Sequence, residues 1–153
     1  MRIGILADIH GAVESLEGAL AEFGRCRADV VVSLGDSCDT FSAAGRSNQV
    51  VALLQKAGAV GVWGNHDVGL CYQVSEKLRQ ATDPAVLDYM KSMQPQLVLG
   101  ECRFSHVEPW LDARKVEDLW YLDGPPDTPE KASRSLPRRR SVVCWWAISI
   151  VGW

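Results

Sequence analysis

The sequence predicts an α/β fold with a largely parallel sheet, because short apolar segments alternate with segments of helical periodicity. Arg2 to Ala7 and Asp29 to Leu34 are apolar runs rich in β-branched residues, typical of strands buried on both faces. A helix between these strands is indicated by apolar residues at helical spacing, namely Val13, Leu16, Leu20 and Phe23. Gly24 is expected to end this helix.

The same alternation continues along the chain. Apolar residues between Val50 and Leu54 predict a second helix that ends near Gly58, and Ala59 to Trp63 forms a third predicted strand. Asp83 and Pro84 begin a further helix, since Asp is a favoured cap and Pro suits the first turn. Shorter strands are predicted over 97–99 and 103–107.

The length and composition fit a single domain. The chain has 153 residues, of which 47% are hydrophobic and 23% charged, so it can bury a sizeable core. From Gly124 to Arg140 the composition shifts to Pro, Ser and Arg, which is typical of a loop. We therefore expect an incomplete domain over 1–123, followed by a Pro/Arg-rich loop and a Trp-rich tail over 124–153.

The charge distribution argues against broad contact with nucleic acid. The net charge is −3, and the acids all lie at or before Glu130, whereas four arginines cluster after it. The rest of the chain is therefore more acidic than the total indicates, and nucleic-acid contact needs clustered basic residues. The run Arg138 to Arg140 is interpreted as a solvated segment in preference to a site for an anionic partner.

The cysteines and the chain ends indicate a cytoplasmic protein. The five cysteines are odd in number and form no CxxC pair, so neither a disulfide framework nor a zinc ribbon is expected. The first apolar run is short and ends in Asp8, unlike a secretory signal. The uncharged stretch 141–153 is shorter than the ~20 residues that a membrane-spanning helix needs. No membrane partner is expected.

Three successive strands end in side chains that suit hard or borderline metal ions. A carboxylate can bridge two divalent cations, and imidazole and amide oxygens complete their coordination. An isolated Asp-x-His is equally consistent with a turn acid beside a surface histidine, but three such strand ends in order favour a metal site. The candidates are Asp8 and His10, then Asp36, then Asn65 and His66, with His106 after a later strand.

These residues resemble the signature blocks of the calcineurin-like metallophosphoesterases. The blocks are Asp8-Ile9-His10, Gly35-Asp36-Ser37-Cys38-Asp39, Gly64-Asn65-His66-Asp67 and His106, in the family's order. The resemblance covers roughly residues 1 to 107. It implies a sandwich of two mixed sheets flanked by helices, a site for two divalent metals, and hydrolysis of a phosphomonoester or phosphodiester. The implied substrate is a small molecule or a phosphoprotein.

The resemblance also implies a role for each matching residue. Manganese is the expected metal, with iron, zinc or nickel as alternatives. Asp8 and His10 would hold the first metal, Asp36 would bridge both, and Asn65 and His106 would hold the second. His66 would protonate the leaving oxygen, and Asp39 would orient His66.

Imidazole suits proton donation at neutral pH, and a carboxylate partner favours its charged form. Asp39 could instead be a solvated turn residue. For Asp67 a structural or capping role is favoured over a supporting role at the site. Cys38 is interpreted as a small buried filler in preference to a reactive thiol.

The family's last block, Gly-His-x-His, is absent. The three histidines of the chain are already assigned at 10, 66 and 106, so each metal would lack one imidazole. The tail is unusual in itself, since Trp145, Trp146 and Trp153 crowd its last residues. A non-catalytic scaffold resembling the family is therefore the alternative function.

The missing block is compatible with a shifted reading frame. Cys144 to Ala147 must be encoded TGY TGG TGG GCN, and reading from the third base gives Leu-Val-Gly. Continuing through Ile150 permits His-x-His. We expect a frame shift between about Asp123 and Ser141, with an unrelated Trp-rich strand as the alternative.

Overall fold

The computed structural model describes residues 1–38, 46–121, 130 and 142–143. Within these ranges the chain forms strands and helices that alternate through the first half. The strands are β1 (Ile3–Leu6), β2 (Val30–Ser33), β3 (Val60–Gly61), β4 (Leu97–Leu99), β5 (Cys102–Phe104) and β6 (Val142–Val143). The helices are α1 (Val13–Arg25), α2 (Ser47–Lys56), α3 (Val68–Cys71), α4 (Glu76–Ala81), α5 (Pro84–Met90) and α6 (Val116–Leu119).

The first sheet has the order β1-β2-β3 and is parallel. Ile3 pairs with Val30 and Val32 pairs with Val60, so the three strands run in register toward the same edge. The helical crossovers α1 and α2 make this parallel order possible. The mixed α/β fold expected from the alternation is thereby confirmed. Because parallel strands share one carboxyl edge, the turns after them are brought together.

The second sheet is mixed. Strands β4 and β5 are antiparallel, with Leu97 opposite Phe104, whereas β5 and β6 are parallel, with Cys102 opposite Val142. Strand β6 lies in the segment predicted as a tail. The remainder of the predicted loop and tail lies outside the described residues, apart from position 130.

Both faces of β2, the middle strand of the first sheet, are buried. Val31 faces the helices and belongs to a cluster that includes Leu16 of α1 and Leu54 of α2. Val32, the next residue, belongs to the other cluster, which includes Leu97 and Phe104 of the second sheet. Neighbouring strand residues point to opposite faces, so helices cover one face and the second sheet packs against the other. The prediction of strands buried on both faces is correct for β2.

The helix ends agree with the sequence at one place and differ at another. Asp83 caps α5, because its Oδ1 accepts a hydrogen bond from the Ala85 N–H. Gly24 does not end α1, which continues to Arg25. The reversal falls instead at Arg27, which has a positive φ of 53°. The expectation of a stop at Gly24 was therefore wrong, because a non-glycine residue takes the left-handed position.

None of the helices within the described ranges is both long enough and apolar enough to cross a membrane.

Candidate metal centre

The turns after β1 and β2 are joined by backbone hydrogen bonds. The Asp8 N–H donates to the Gly35 carbonyl at 3.2 Å, and the His10 N–H donates to the Asp36 carbonyl at 2.9 Å. These bonds continue the strand pairing past the end of the sheet. The Asp8, His10 and Asp36 side chains therefore start from positions that the backbone of the neighbouring turn holds.

Left-handed backbone is concentrated at these residues. Asp8, His10 and Asp36 have φ values of 54°, 45° and 53°. A residue with a side chain avoids this region, at a cost of roughly 1–2 kcal/mol each. Such strain persists where the surrounding structure enforces it, and it is commonly found at functional sites. Here it directs three polar side chains of neighbouring turns toward one another.

The Asp36 carboxylate lies at the centre of the candidate site and is almost fully buried. Its Oδ2 is 3.6 Å from Nε2 of His10 and 3.7 Å from Nε2 of His106. Its Oδ1 accepts a hydrogen bond from the His66 N–H at 2.9 Å. One carboxylate oxygen thus lies near two histidine nitrogens, while the other accepts a hydrogen bond from the backbone.

The remaining predicted ligands lie around this centre. Nε2 of His10 is 3.9 Å from Oδ1 of Asp8, and Nε2 of His106 is 2.9 Å from Oδ1 of Asn65. The five predicted metal ligands are therefore linked through Asp36 by contacts shorter than 4 Å. The structure brings all five together, and their individual roles stay predictions.

His106 is oriented by a backbone carbonyl. Its Nδ1 donates to the Leu34 carbonyl at 2.8 Å, as the second nitrogen of a metal-binding histidine usually does. In the neutral ring this leaves a lone pair on Nε2, directed at oxygens of Asn65 and Asp36. Three acceptor atoms then converge without a proton between them, an arrangement that a cation satisfies.

His66 also lies at this site. Its ring is edge-on to the His10 ring, with the centroids 4.7 Å apart. Ligand atoms of His10, Asp36 and His66 all lie within 4.8 Å of one another. The geometry is therefore compatible with His66 as a metal ligand as well as with the predicted role of proton donor. Asp39, its predicted partner, lies outside the described residues.

Asp67 is a buried carboxylate that holds the backbone of the turns around the site. Its side chain is 1% exposed, and its Oδ2 accepts hydrogen bonds from the N–H groups of Asp36 and Gly64. Its Oδ1 accepts from the Cys38 N–H. Burial raises the pKa of Asp67 to about 6, while the N–H groups of Cys38 and Gly64 oppose the rise. The sequence left this residue ambiguous because neither its burial nor its partners follow from its place in a turn.

Glycine is required where two of the turns touch. A side chain at Gly64 would overlap the Asp36 carboxylate and come within 2.7 Å of the Asp36 nitrogen. Real Cβ atoms essentially never approach so closely. The close contact between the second and third turns therefore depends on the glycine that precedes Asn65.

Cys38 lies next to the site, but its environment does not suit a reactive thiol. It is fully buried, and burial raises the pKa of its thiol to about 12. A thiol becomes a nucleophile or a ligand as the thiolate, so this environment favours the interpretation of Cys38 as a buried filler.

Carboxylates, imidazoles and an amide collected at one strand edge of a mixed α/β fold are typical of a site for divalent cations. The family model described as Calcineurin-like phosphoesterase matches residues 1–142, so the chain belongs to this family. The resemblance inferred from the four blocks is thereby confirmed, and the match extends beyond His106.

A solved structure is similar to the chain. It is a metallophosphoesterase from Sphaerobacter thermophilus, at a TM-score of 0.57 and 26% sequence identity. The similarity covers 80% of this chain and 51% of that protein. The chain thus spans about half the length of that relative. Among curated proteins the search found no significant match.

Proposed function

We propose that the chain binds two divalent cations around Asp36 and hydrolyses phosphoesters. The observation that carries the proposal is the position of Asp36 Oδ2, which lies 3.6 Å from Nε2 of His10 and 3.7 Å from Nε2 of His106. Asp8 and His10 are assigned to the first cation, and Asn65 and His106 to the second. This assignment uses every acid, amide and histidine that the resemblance predicted for the metals.

The spacing of the donor atoms supports this assignment. Hydrogen bonds between nitrogen and oxygen are usually 2.7–3.2 Å long. Two ligands bound at about 2.1 Å to one cation are instead about 3 to 3.5 Å apart. The contacts of His10 with Asp8 and Asp36, at 3.9 and 3.6 Å, are longer than hydrogen bonds and nearer to the second range than to the first. Mixed oxygen and imidazole ligands suit manganese, with iron, zinc or nickel as alternatives.

Two bound cations would neutralise a phosphoryl group and lower the pKa of a water molecule. The chain's own residues then have distinct tasks. Asp36 fixes the distance between the ligands of the first cation and those of the second, because its backbone and its carboxylate are both hydrogen-bonded to neighbouring turns. His66 gives a proton to the leaving oxygen as its bond to phosphorus breaks. We assign Asp39 to orienting His66.

The proposed substrate is a phosphomonoester or phosphodiester, either in a small molecule or in a phosphoprotein. A complete fold of this type would be a sandwich of two mixed sheets flanked by helices. The odd number of cysteines and the lack of a CxxC pair support a reducing location such as the cytoplasm.

We further propose that this chain is impaired, because positions 107–153 contain no histidine. Each cation then lacks one imidazole of the expected set, which the frame-shifted tail would have supplied. A non-catalytic scaffold is the alternative. The proximity of His66 to Asp36 and His10 favours the enzyme, since a scaffold needs no proton donor.

Metal content and turnover test the proposal together. The protein is stripped with a chelator, titrated with Mn²⁺ by calorimetry, and assayed with 4-nitrophenyl phosphate and bis(4-nitrophenyl) phosphate. We expect Mn²⁺ binding and metal-dependent release of nitrophenol. Asp36→Asn keeps an oxygen for the His66 N–H but removes the charge, so it should lose both. Asp88→Asn, which alters only an exposed pair with Lys91, is the matched control. Folded protein that binds no Mn²⁺ would contradict the proposal, and metal binding without turnover would favour the scaffold.

A further inference from the structure

Trp120 lies against the proposed proton donor. Its ring centroid is 5.5 Å from that of His66, with the two planes inclined by 46°. His66 is also in edge-on contact with the ring of His10, 4.7 Å away between ring centroids. His66 therefore contacts both a proposed metal ligand and an aromatic side chain.

Trp120 is exposed, although the element that carries it is anchored. Its side chain is 56% exposed, while the preceding residue, Leu119, is 5% exposed and belongs to the main core cluster. The Trp120 N–H donates to the Val116 carbonyl at 3.2 Å at the end of α6. Oδ2 of Asp118 accepts a hydrogen bond from the Asp112 N–H, which fixes the turn before the helix. A large apolar ring is thus presented to solvent from a fixed position.

We propose that Trp120 binds a planar aromatic ring in the leaving group of the substrate. The inference rests on the proposed function, in which His66 meets the leaving oxygen. A group attached to that oxygen would lie within reach of the Trp120 ring, whose centroid is 5.5 Å from that of His66. Aromatic rings stack on tryptophan with little dependence on their identity, because every such ring has a π face. The substrate class is therefore a phosphoester with a nucleoside or another aromatic alcohol as its leaving group.

A matched pair of substrates isolates the aromatic ring. Benzyl phosphate and cyclohexylmethyl phosphate both release a primary alcohol of similar size, and only the first is aromatic. Adenosine 5′-monophosphate and ribose 5-phosphate form the corresponding nucleoside pair. If the enzyme hydrolyses diesters, the methyl diesters of the same alcohols replace the monoesters. The measured quantity is the ratio of kcat/KM within each pair, at saturating Mn²⁺.

We expect Trp120→Leu to lower kcat/KM for the aromatic member of at least one pair by about fivefold or more. The non-aromatic member should change little, and Trp120→Phe should keep most of the preference. Trp110→Leu, at another partly exposed tryptophan, is the control and should leave both ratios unchanged. A preference lost only in the adenosine pair identifies a nucleobase, and one lost in both pairs identifies any aromatic ring.

Equal losses for both members of each pair would overturn the inference, because Trp120 would then only position His66. If the protein hydrolyses none of these substrates, a binding measurement tests the inference instead. Benzylphosphonate and cyclohexylmethylphosphonate are titrated into the Mn²⁺-loaded protein and into Trp120→Leu. A benzyl preference that the variant loses supports the aromatic site even if hydrolysis fails. Equal affinities of the two phosphonates for the unsubstituted protein contradict it, whereas a failure to bind Mn²⁺ contradicts the proposed function.

Discussion

The Asp67 carboxylate accepts a hydrogen bond from the Asp36 N–H at 2.8 Å. This bond joins the turn after β3 to the turn after β2, and it holds the backbone of the residue proposed to bridge the metals. Asp67 also accepts from the N–H groups of Gly64 and Cys38. All three partners are donors, so the position requires a group that only accepts.

Asp67→Asn should therefore weaken the site and the fold together. An asparagine offers one oxygen, so its amide N–H₂ must face at least one of the three N–H groups. Leaving a buried donor unsatisfied costs about 1–3 kcal/mol. We expect the free energy of unfolding to fall by this amount in urea denaturation, and Mn²⁺ affinity to fall as well. Asp88→Asn, on the surface of α5, should change stability by less than about 0.5 kcal/mol. An Asp67→Asn protein with unchanged stability and unchanged Mn²⁺ affinity would remove the support role of Asp67.

Gly64→Ala should disrupt the centre because the added methyl group overlaps the Asp36 carboxylate. Overpacking of this kind costs about 1–3 kcal/mol, and here it also displaces a proposed ligand. Gly18→Ala is the matched control, since a Cβ at Gly18 meets nothing within 4 Å and lies inside α1. Alanine is the better helix former there, by up to about 1 kcal/mol. Thermal unfolding should place the two variants on opposite sides of the unsubstituted protein. A Gly64→Ala protein that is as stable as the unsubstituted protein, or more stable, would contradict the close contact at Gly64.

His66→Asn distinguishes a proton donor from a metal ligand. If His66 donates the proton, alkyl esters should lose about 10²- to 10⁴-fold in turnover. Esters of 4-nitrophenol should lose much less, because that leaving group departs without protonation. Calorimetric affinity for Mn²⁺ should stay unchanged. An affinity that falls about 10- to 100-fold would instead assign His66 to the metal, alongside His10 and Asp36.

The proposed frame shift makes a prediction about the gene. For the tail to hide Gly-His-x-His, Ala147 must be encoded by GCC and Ser149 by TCC, since each third base supplies the C of a CAT codon. Sequencing the gene settles this directly, and the shifted reading should stay open past Trp153. Ala147 written as GCG would rule the idea out.

The protein itself provides a second test of the frame shift. A version with the restored ending regains one imidazole for each proposed cation. Loss of such ligands commonly costs about 10- to 100-fold in affinity or activity, so the restored version should bind Mn²⁺ more tightly and turn over faster by a similar factor. Equal metal stoichiometry and equal rates in the two versions would contradict the prediction, as would a folded but inactive restored version.

Much of the fold could be predicted because local pattern and burial agree. The apolar runs at 2–7 and 29–34 form β1 and β2, of which β2 is buried on both faces, and Asp83 caps α5 where a favoured cap residue precedes proline. The short helices α3, α4 and α6, of four to six residues, were not predicted, since so few residues show no period. The end of α1 was misplaced for a related reason, because Arg27 takes a conformation that its residue type disfavours.

By itself, the sequence determined which residue types follow each strand and in what order, and this was sufficient to identify the family. Only the tertiary structure decided that Asp36 directs a single oxygen toward both His10 and His106, and that Asp67 is a buried acceptor. It also placed Trp120 against His66, across a separation of 54 positions in the chain. The physical reason is that strand order and helix packing bring distant turns to one edge, and neither periodicity nor local propensity contains those distances.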